Sequence, residues 1–268
     1  MKPAAASDPW VGLRRHTPAR IALGHCGISL PTGAHLDFQM AHAQARDAVH
    51  RPFDVPGTAA AIEGLGLTTL RAHSAAPDRP TYLQRPDLGR RLDEPSAQAL
   101  RARQSSERCD LGLVVADGLS SLAVERHATS FLAALLDLLR TDSPEWRLSP
   151  VVMVHQGRVA VGDDIGELLR ADLVLVMIGE RPGLSSPDSM GLYLTWAPRP
   201  GRSDAERNCI SNVRPEGQNY PEAARRSAYL LRAARTRQIT GVALKDDSTP
   251  PARLDTSSPA FALTGPDR

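Results

Sequence analysis

Four residues able to do chemistry stand at the ends of short apolar runs in the second half of this 268-residue chain. They are Asp117 in "VVADGLSS", His155 in "VVMVHQG", Glu180 in "GERPGLSSPDSMG" and Cys209 in "RNCISNVRPEG". A carboxylate, an imidazole and a thiol are the parts of a hydrolytic or nucleophilic site, provided they lie within hydrogen-bond reach of one another. Each has a plainer reading. Asp117 precedes a glycine, and an Asp-Gly turn uses its carboxylate to bond its own backbone. His155 at a strand end reads first as a hydrogen-bonded structural histidine, and as a general base second. Cys209 has no histidine at a recognisable spacing and reads as a small buried apolar residue. Glu180 sits where a carboxylate either accepts hydrogen bonds from a polar ligand or pairs with an arginine such as Arg181.

The motifs that would assign a reaction are missing. A dinucleotide site needs G-x-G-x-x-G after its first strand, and "VVADGLSS" has one glycine. No G-x-x-x-x-G-K-[ST], G-x-S-x-G or H-E-x-x-H string occurs. Cys26, Cys109 and Cys209 are far apart, with no C-x-x-C and no Cys/His cluster at zinc spacing. Neither a catalytic constellation nor a metal site is therefore expected, which points to chemistry supplied by a cofactor or by another subunit.

Composition narrows the classes further. With 41% hydrophobic and 23% charged residues, the chain has the balance of a globular protein. Aromatics make up only 4%, so the core must be aliphatic. A net charge of +2, with the arginines spread among acids, gives no footprint for nucleic acid or a membrane surface. Sparse, unpaired cysteines suit a reducing cytosol. "MKPAAASDPW" carries no apolar signal segment, and no apolar run approaches a membrane span.

The elements that must position these residues follow from periodicity. "CDLGLVVADG", "SPVVMVHQG", "DLVLVMIG" and "MGLYLTWAP" read as strands. "SSLAVERHATSFLAALLDLLR" is a helix with Ala128, Phe131, Leu132, Leu135 and Leu139 on one face. "RVAVGDDIGELLRA" contains a helix that Asp163 or Asp164 would cap, and "EAARRSAYLLRAARTR" is a final helix facing inward at Ala224, Ala228 and Leu231. The N-terminal half offers a helix over 35–50 with Leu36, Met40 and Ala43 at helical spacing, and a second starting near Ser96. Between those two, a stretch rich in Arg, Pro and Asp reads as loop. The predicted class is α/β: a Rossmann-like C-terminal domain with a mostly parallel sheet, preceded by an irregular, mainly helical N-terminal region. The expected divisions are a tail over 1–9, an N-terminal region over 10–107, the sheet domain over 108–245 and a loose tail over 246–268. In such sheets ligands bind outside the carboxyl ends of the strands, and the glycines of "GERPGLSSPDSMG" would let the backbone approach one.

Five strings, in order, are similar to one family: "RIALGHCGISLPTGAHLDFQMAHAQARDAV", "YLQRPDLGRRL", "LVVADGLSSLAV", "VMIGERPGLSSPDSMGLYLTWAPRPG" and "ERNCISNVRPEGQNYPEAA". Over roughly residues 10–245 the chain resembles the small (light) subunit of ethanolamine ammonia-lyase, an adenosylcobalamin-dependent enzyme. The resemblance implies a lyase that converts ethanolamine to acetaldehyde and ammonia by a radical route. It implies a TIM-barrel large subunit as partner that holds the substrate, in a hetero-oligomer. The small subunit would contribute to cobalamin binding at the subunit interface, with no catalytic residue of its own. Three cofactor contacts carry over by position: Val159 in "QGRVAVGD", Glu180 in "GERPG" and Cys209 in "CISN". No D-x-H-x-x-G string occurs, in keeping with base-on binding and against a histidine ligand to cobalt. The implied location is the cytoplasm or, as in some family members, a bacterial microcompartment; the short N-terminal stretch lacks the amphipathic helix that would suit packaging. The reading that competes is a free-standing Rossmann-like nucleotide-binding or regulatory module, which would need a phosphate cradle.

Overall fold

The computed structural model describes residues 8–25, 27–104 and 107–248. Cys26, most of the N-terminal tail and residues 249–268 of the C-terminal tail lie outside the described residues. The chain begins with a 3₁₀ segment, Pro9–His16, and continues through α1 (Thr32–His50), α2 (Val55–Glu63), β1 (Thr69–His73), α3 (Arg79–Gln84) and α4 (Glu94–Ala102). Then follow β2 (Cys109–Ala116), α5 (Ser121–Leu139), β3 (Leu148–His155), α6 (Val161–Leu168), β4 (Ala171–Gly179), β5 (Met190–Trp196), β6 (Arg207–Val213) and α7 (Tyr220–Arg237).

All six strands form one sheet in the order β1-β3-β2-β4-β5-β6. The first four are parallel; β5 pairs antiparallel with β4, and β6 antiparallel with β5. The mixed α/β class with a mostly parallel sheet is thus present. "MGLYLTWAP" is a strand as expected, but it pairs as a hairpin with β4 rather than through a helical crossover. β2, β3 and β4 are apolar on both sides because both sides are covered. One face packs against α2, α5 and α7, with Ile62, Phe131, Leu135 and Leu231 in its core. The other packs against α4 and α6, through Leu100, Val161 and Ile165.

Five expectations need correction. The stretch assigned to loop contains α2, β1 and α3. Their local cause is a repeated Asp-x-Pro: Asp54, Asp78 and Asp93 each accept from the N3 amide of α2, α3 and α4, with Pro in the first turn. Asp93, not Ser96, therefore caps α4; Ser96 instead accepts from the amide of His73 at the end of β1. β6 was not anticipated because Cys209, Ser211 and Asn212 face solvent on an edge strand and break the alternation. Neither Asp163 nor Asp164 caps α6. Asp163 is buried against Arg207 at 2.6 Å, and Asp164 accepts from the amide of Leu92. Finally, α1 buries Ala41, Ala45 and Ala48, while Leu36 and Met40 are 56% and 62% exposed. The apolar stripe read from the sequence is the outward one, because the small alanines let α1 lie close to α5.

Candidate functional site

The parallel strands deliver three loops to one edge of the sheet. The first, residues 117–120, leaves β2; the second, 156–160, leaves β3; the third, 180–189, joins β4 to β5. Asp117 ties the first two together. Its carboxylate, 3% exposed, accepts from the amides of Gln156 at 2.9 Å and Gly157 at 3.1 Å. It is a turn residue, as the plainer reading has it, but it bonds the neighbouring loop as well as its own turn. Burial pushes its pKa up to about 6, against the opposing pull of those amides and of Arg79. Arg79 lies 3.9 Å away and also donates to the carbonyls of Val49 and Gly118.

Gly179, which opens the third loop, and Gly118 in the first do something other than admit a ligand. A Cβ on Gly179 would stand 1.9 Å from the carbonyl oxygen of Ser120, and one on Gly118 would stand 2.2 Å from that of Gly179. They let the first and third loops cross backbone to backbone, sealed by the Leu119 amide bonding the Gly179 carbonyl at 2.9 Å. Asp188 anchors the far end of the third loop to Arg126 at 2.9 Å and faces His127 at 3.3 Å on α5.

A cavity of about 510 Å³ opens where these loops meet. Val159 and Glu180 both line it, with Tyr82, Arg158, Leu119 and Tyr193. One oxygen of Glu180, Oε2, accepts from the Ser189 hydroxyl and from the Asn212 amide at 3.1 Å. The other, Oε1, has no partner among the described residues, so it is oriented and available. Arg181 makes no ion pair with it among the described residues, which leaves the acceptor reading of Glu180 standing. Cys209 is not part of the wall. It lies on β6 opposite Tyr193, which is, and Tyr193 hydrogen-bonds the thiol. The expectation of a buried apolar Cys209 is corrected: it is exposed. Desolvation by its neighbours still pushes the thiol up, so it is protonated at neutral pH.

His155 lies elsewhere. Its ring packs on His73 at 5.8 Å and edge-on to Phe53 at 5.7 Å, and no hydrogen bond reaches it among the described residues. Burial, then the nearby His73 and Arg71, holds its pKa below the usual value, so it stays neutral. Asp117, His155 and Cys209 share no hydrogen bond among the described residues, and the hydrolase they would form is not assembled. Nor do the described residues contain a His/Cys/Asp/Glu cluster that could hold a metal.

Two wall residues escaped the sequence reading. The ring of Tyr82, 1% exposed, has the Arg158 guanidinium at 4.5 Å and that of Arg79 at 4.7 Å, and its hydroxyl donates to the Gly157 carbonyl at 3.1 Å. The faint signal was "YLQRPDLGRRL", whose aromatic and glycine lie in an otherwise polar run.

The model of the ethanolamine ammonia-lyase light chain family matches residues 7–245. The chain belongs to that family. The ethanolamine ammonia-lyase small subunit of Pseudomonas syringae pv. tomato is 60% identical over 91% of this chain and 85% of its own. That of Pseudomonas aeruginosa is 58% identical over 96% and 93%, and that of Pseudomonas fluorescens strain SBW25 55% identical over 97% and 95%. Near-complete coverage both ways means that the light-chain framework runs through β1 and α1–α4 as well as through the larger part of the sheet.

Proposed function

We propose that this chain is the small subunit of an ethanolamine ammonia-lyase, that it binds adenosylcobalamin jointly with a large subunit, and that the complex converts ethanolamine to acetaldehyde and ammonia. The observation that carries this reading is the cavity at the carboxyl edge of a family light chain, lined by Val159 and Glu180. We read the sheet as a Rossmann-like platform whose strand ends face the cofactor.

The residues fit such a ligand. A corrin carries a rim of amide side chains and a ribonucleotide tail. Glu180 Oε1 is a fixed acceptor for an amide or ribose donor, and the Ser189 and Asn212 bonds to Oε2 keep it from swinging away. Val159 offers an apolar rim. Cys209, protonated and polarizable, supplies a soft surface beside Tyr193. When bound, adenosylcobalamin supplies the radical chemistry; this chain supplies position and exclusion of water. No proton transfer is asked of it, in keeping with a neutral His155 and an Asp117 committed to two backbone amides.

The outward stripe of α1, with Leu36, Phe38 and Met40 exposed, suits a partner surface, and we place the large subunit there. No helix among the described residues is long and apolar enough to cross a membrane. We assign the complex to the cytoplasm.

The test is reconstitution. The purified chain, a family large subunit, adenosylcobalamin and ethanolamine together should release acetaldehyde, and either chain alone should not. Glu180→Ala should weaken cobalamin binding by about 10-fold, the worth of one hydrogen bond to a charged group. Turnover by the large subunit alone at the same rate would overturn the proposal.

A further inference from the structure

Beside the cavity just described lies a second, of about 380 Å³, and Arg158 and Val159 line both. Arg90 and Arg202 stand on the wall of the second. Arg202 is neutralised by Glu206. Arg158 and Arg90 have no carboxylate within ion-pair distance among the described residues. The one acid on that wall, Asp204, is 94% exposed at its side chain and faces Arg207 at 3.5 Å.

Arg158 is held for a purpose its own contacts do not exhaust. Gly89 accepts its main-chain N–H at 2.7 Å, and a Cβ on Gly89 would come within 2.8 Å of its stem. Its guanidinium stacks on Tyr82 and donates once, to the Tyr82 carbonyl at 3.2 Å. Its Nε is buried with no partner. A half-buried cation with an orphaned donor is costly unless something anionic arrives. The neighbouring backbone points the same way: the N–H groups of Val159 and Ala160, just ahead of α6, donate to nothing among the described residues, whereas those of Val161, Gly162 and Asp163 are satisfied.

We propose that Arg158, supported by Arg90 and by the Val159 and Ala160 amides, is the subsite for the phosphodiester of the cofactor's nucleotide tail. This rests on the cobalamin reading above and deepens it. The amide rim of a corrin is neutral, and the phosphodiester is the one anionic group of the tail. A guanidinium with free N–H groups beside backbone donors matches its oxygens better than it matches an amide. Glu180 then serves the amide or ribose donors and Arg158 the anion.

The experiment uses the reconstituted two-subunit complex and two probes, adenosylcobalamin and cobinamide, the latter a corrin without nucleotide or phosphate. Binding is followed by the change in corrin absorbance. Arg158→Met should weaken adenosylcobalamin by about 10- to 100-fold and leave cobinamide unchanged. Arg158→Lys, which keeps the charge and loses the fork, should fall between. Arg90→Gln, at an exposed side chain, should cost a few-fold for adenosylcobalamin alone and guards against a folding defect in the first variant. Equal weakening of both corrins by Arg158→Met and Arg158→Lys would overturn the subsite. So would weaker assembly with the large subunit at unchanged cobalamin affinity, which would give Arg158 to an acid of the partner. If the wild-type complex bound neither corrin, the cobalamin reading itself would fail, and that outcome is seen before any variant is made.

Discussion

The buried pair of Arg207 and Asp163 is the sharpest place to test how the site is held. Both side chains are 2% exposed. Arg207, on β6, donates to Asp163 Oδ1 at 2.7 Å and Oδ2 at 2.6 Å, and also to the Thr195 hydroxyl and the Arg202 carbonyl. Asp163 sits in the first turn of α6, three residues after Ala160. The pair therefore locks the second loop to the antiparallel end of the sheet. Arg207→Met leaves the carboxylate in the core without its partner, a change that costs about 3–5 kcal/mol. At roughly 2–4 °C per kcal/mol for a chain of this size, Tm should fall by about 10 °C. Burial already pushes the pKa of Asp163 up, opposed by Arg207. Without Arg207 it rises further, and the folded state then holds a proton that the unfolded state releases. Stability of the variant is therefore lost as pH rises through that value, and its deficit against wild type narrows as pH falls. Asp163→Leu combined with Arg207→Met should recover stability to within about 1 kcal/mol, because an apolar pair of similar volume needs no desolvation. The assay is urea unfolding at pH 5.5 and 7.5. A loss below about 1 kcal/mol for Arg207→Met, or a deficit that ignores pH, would refute the reasoning.

Two further expectations concern the loop crossing. Gly179→Ala places a methyl 1.9 Å from the Ser120 carbonyl oxygen, where only backbone can yield, and should cost at least about 3 kcal/mol in urea unfolding. Asp117, raised from 3.8 to about 6, keeps its proton longer in the folded state, so its contribution to stability falls as pH rises between those values. The unfolding free energy of wild type minus that of Asp117→Asn should thus drop by about 2 kcal/mol from pH 4.5 to pH 7; a flat difference would show that burial does not govern this carboxyl.

What the sequence determined by itself was the apolar framework. The runs of β2, β3 and β4 and the inward stripes of α5 and α7 were legible because a sheet buried on both faces, and a helix buried on one, leave a period in the order of residues. Edge elements left none: β1 is five residues with an arginine at its centre, and β6 turns to the core only at Arg207, Ile210 and Val213, with Cys209 exposed between them. The caps of α2–α4 were written as Asp-x-Pro, and hid among prolines that also mark loops. Glu180 and Cys209 stood out at the ends of apolar runs, but Val159, and a cofactor role for all three, were reached through likeness to a family. It took the assembled fold to show that Val159 and Glu180 face one cavity while Cys209 lies off its wall, opposite Tyr193, that Leu36 and Met40 turn outward, and that Arg158 lies stacked on Tyr82 with no carboxylate in ion-pair distance among the described residues. Those are contacts between residues up to 76 positions apart, as from Tyr82 to Arg158. Local propensity acts over a few residues, so it cannot encode them; closure of the chain around its core does.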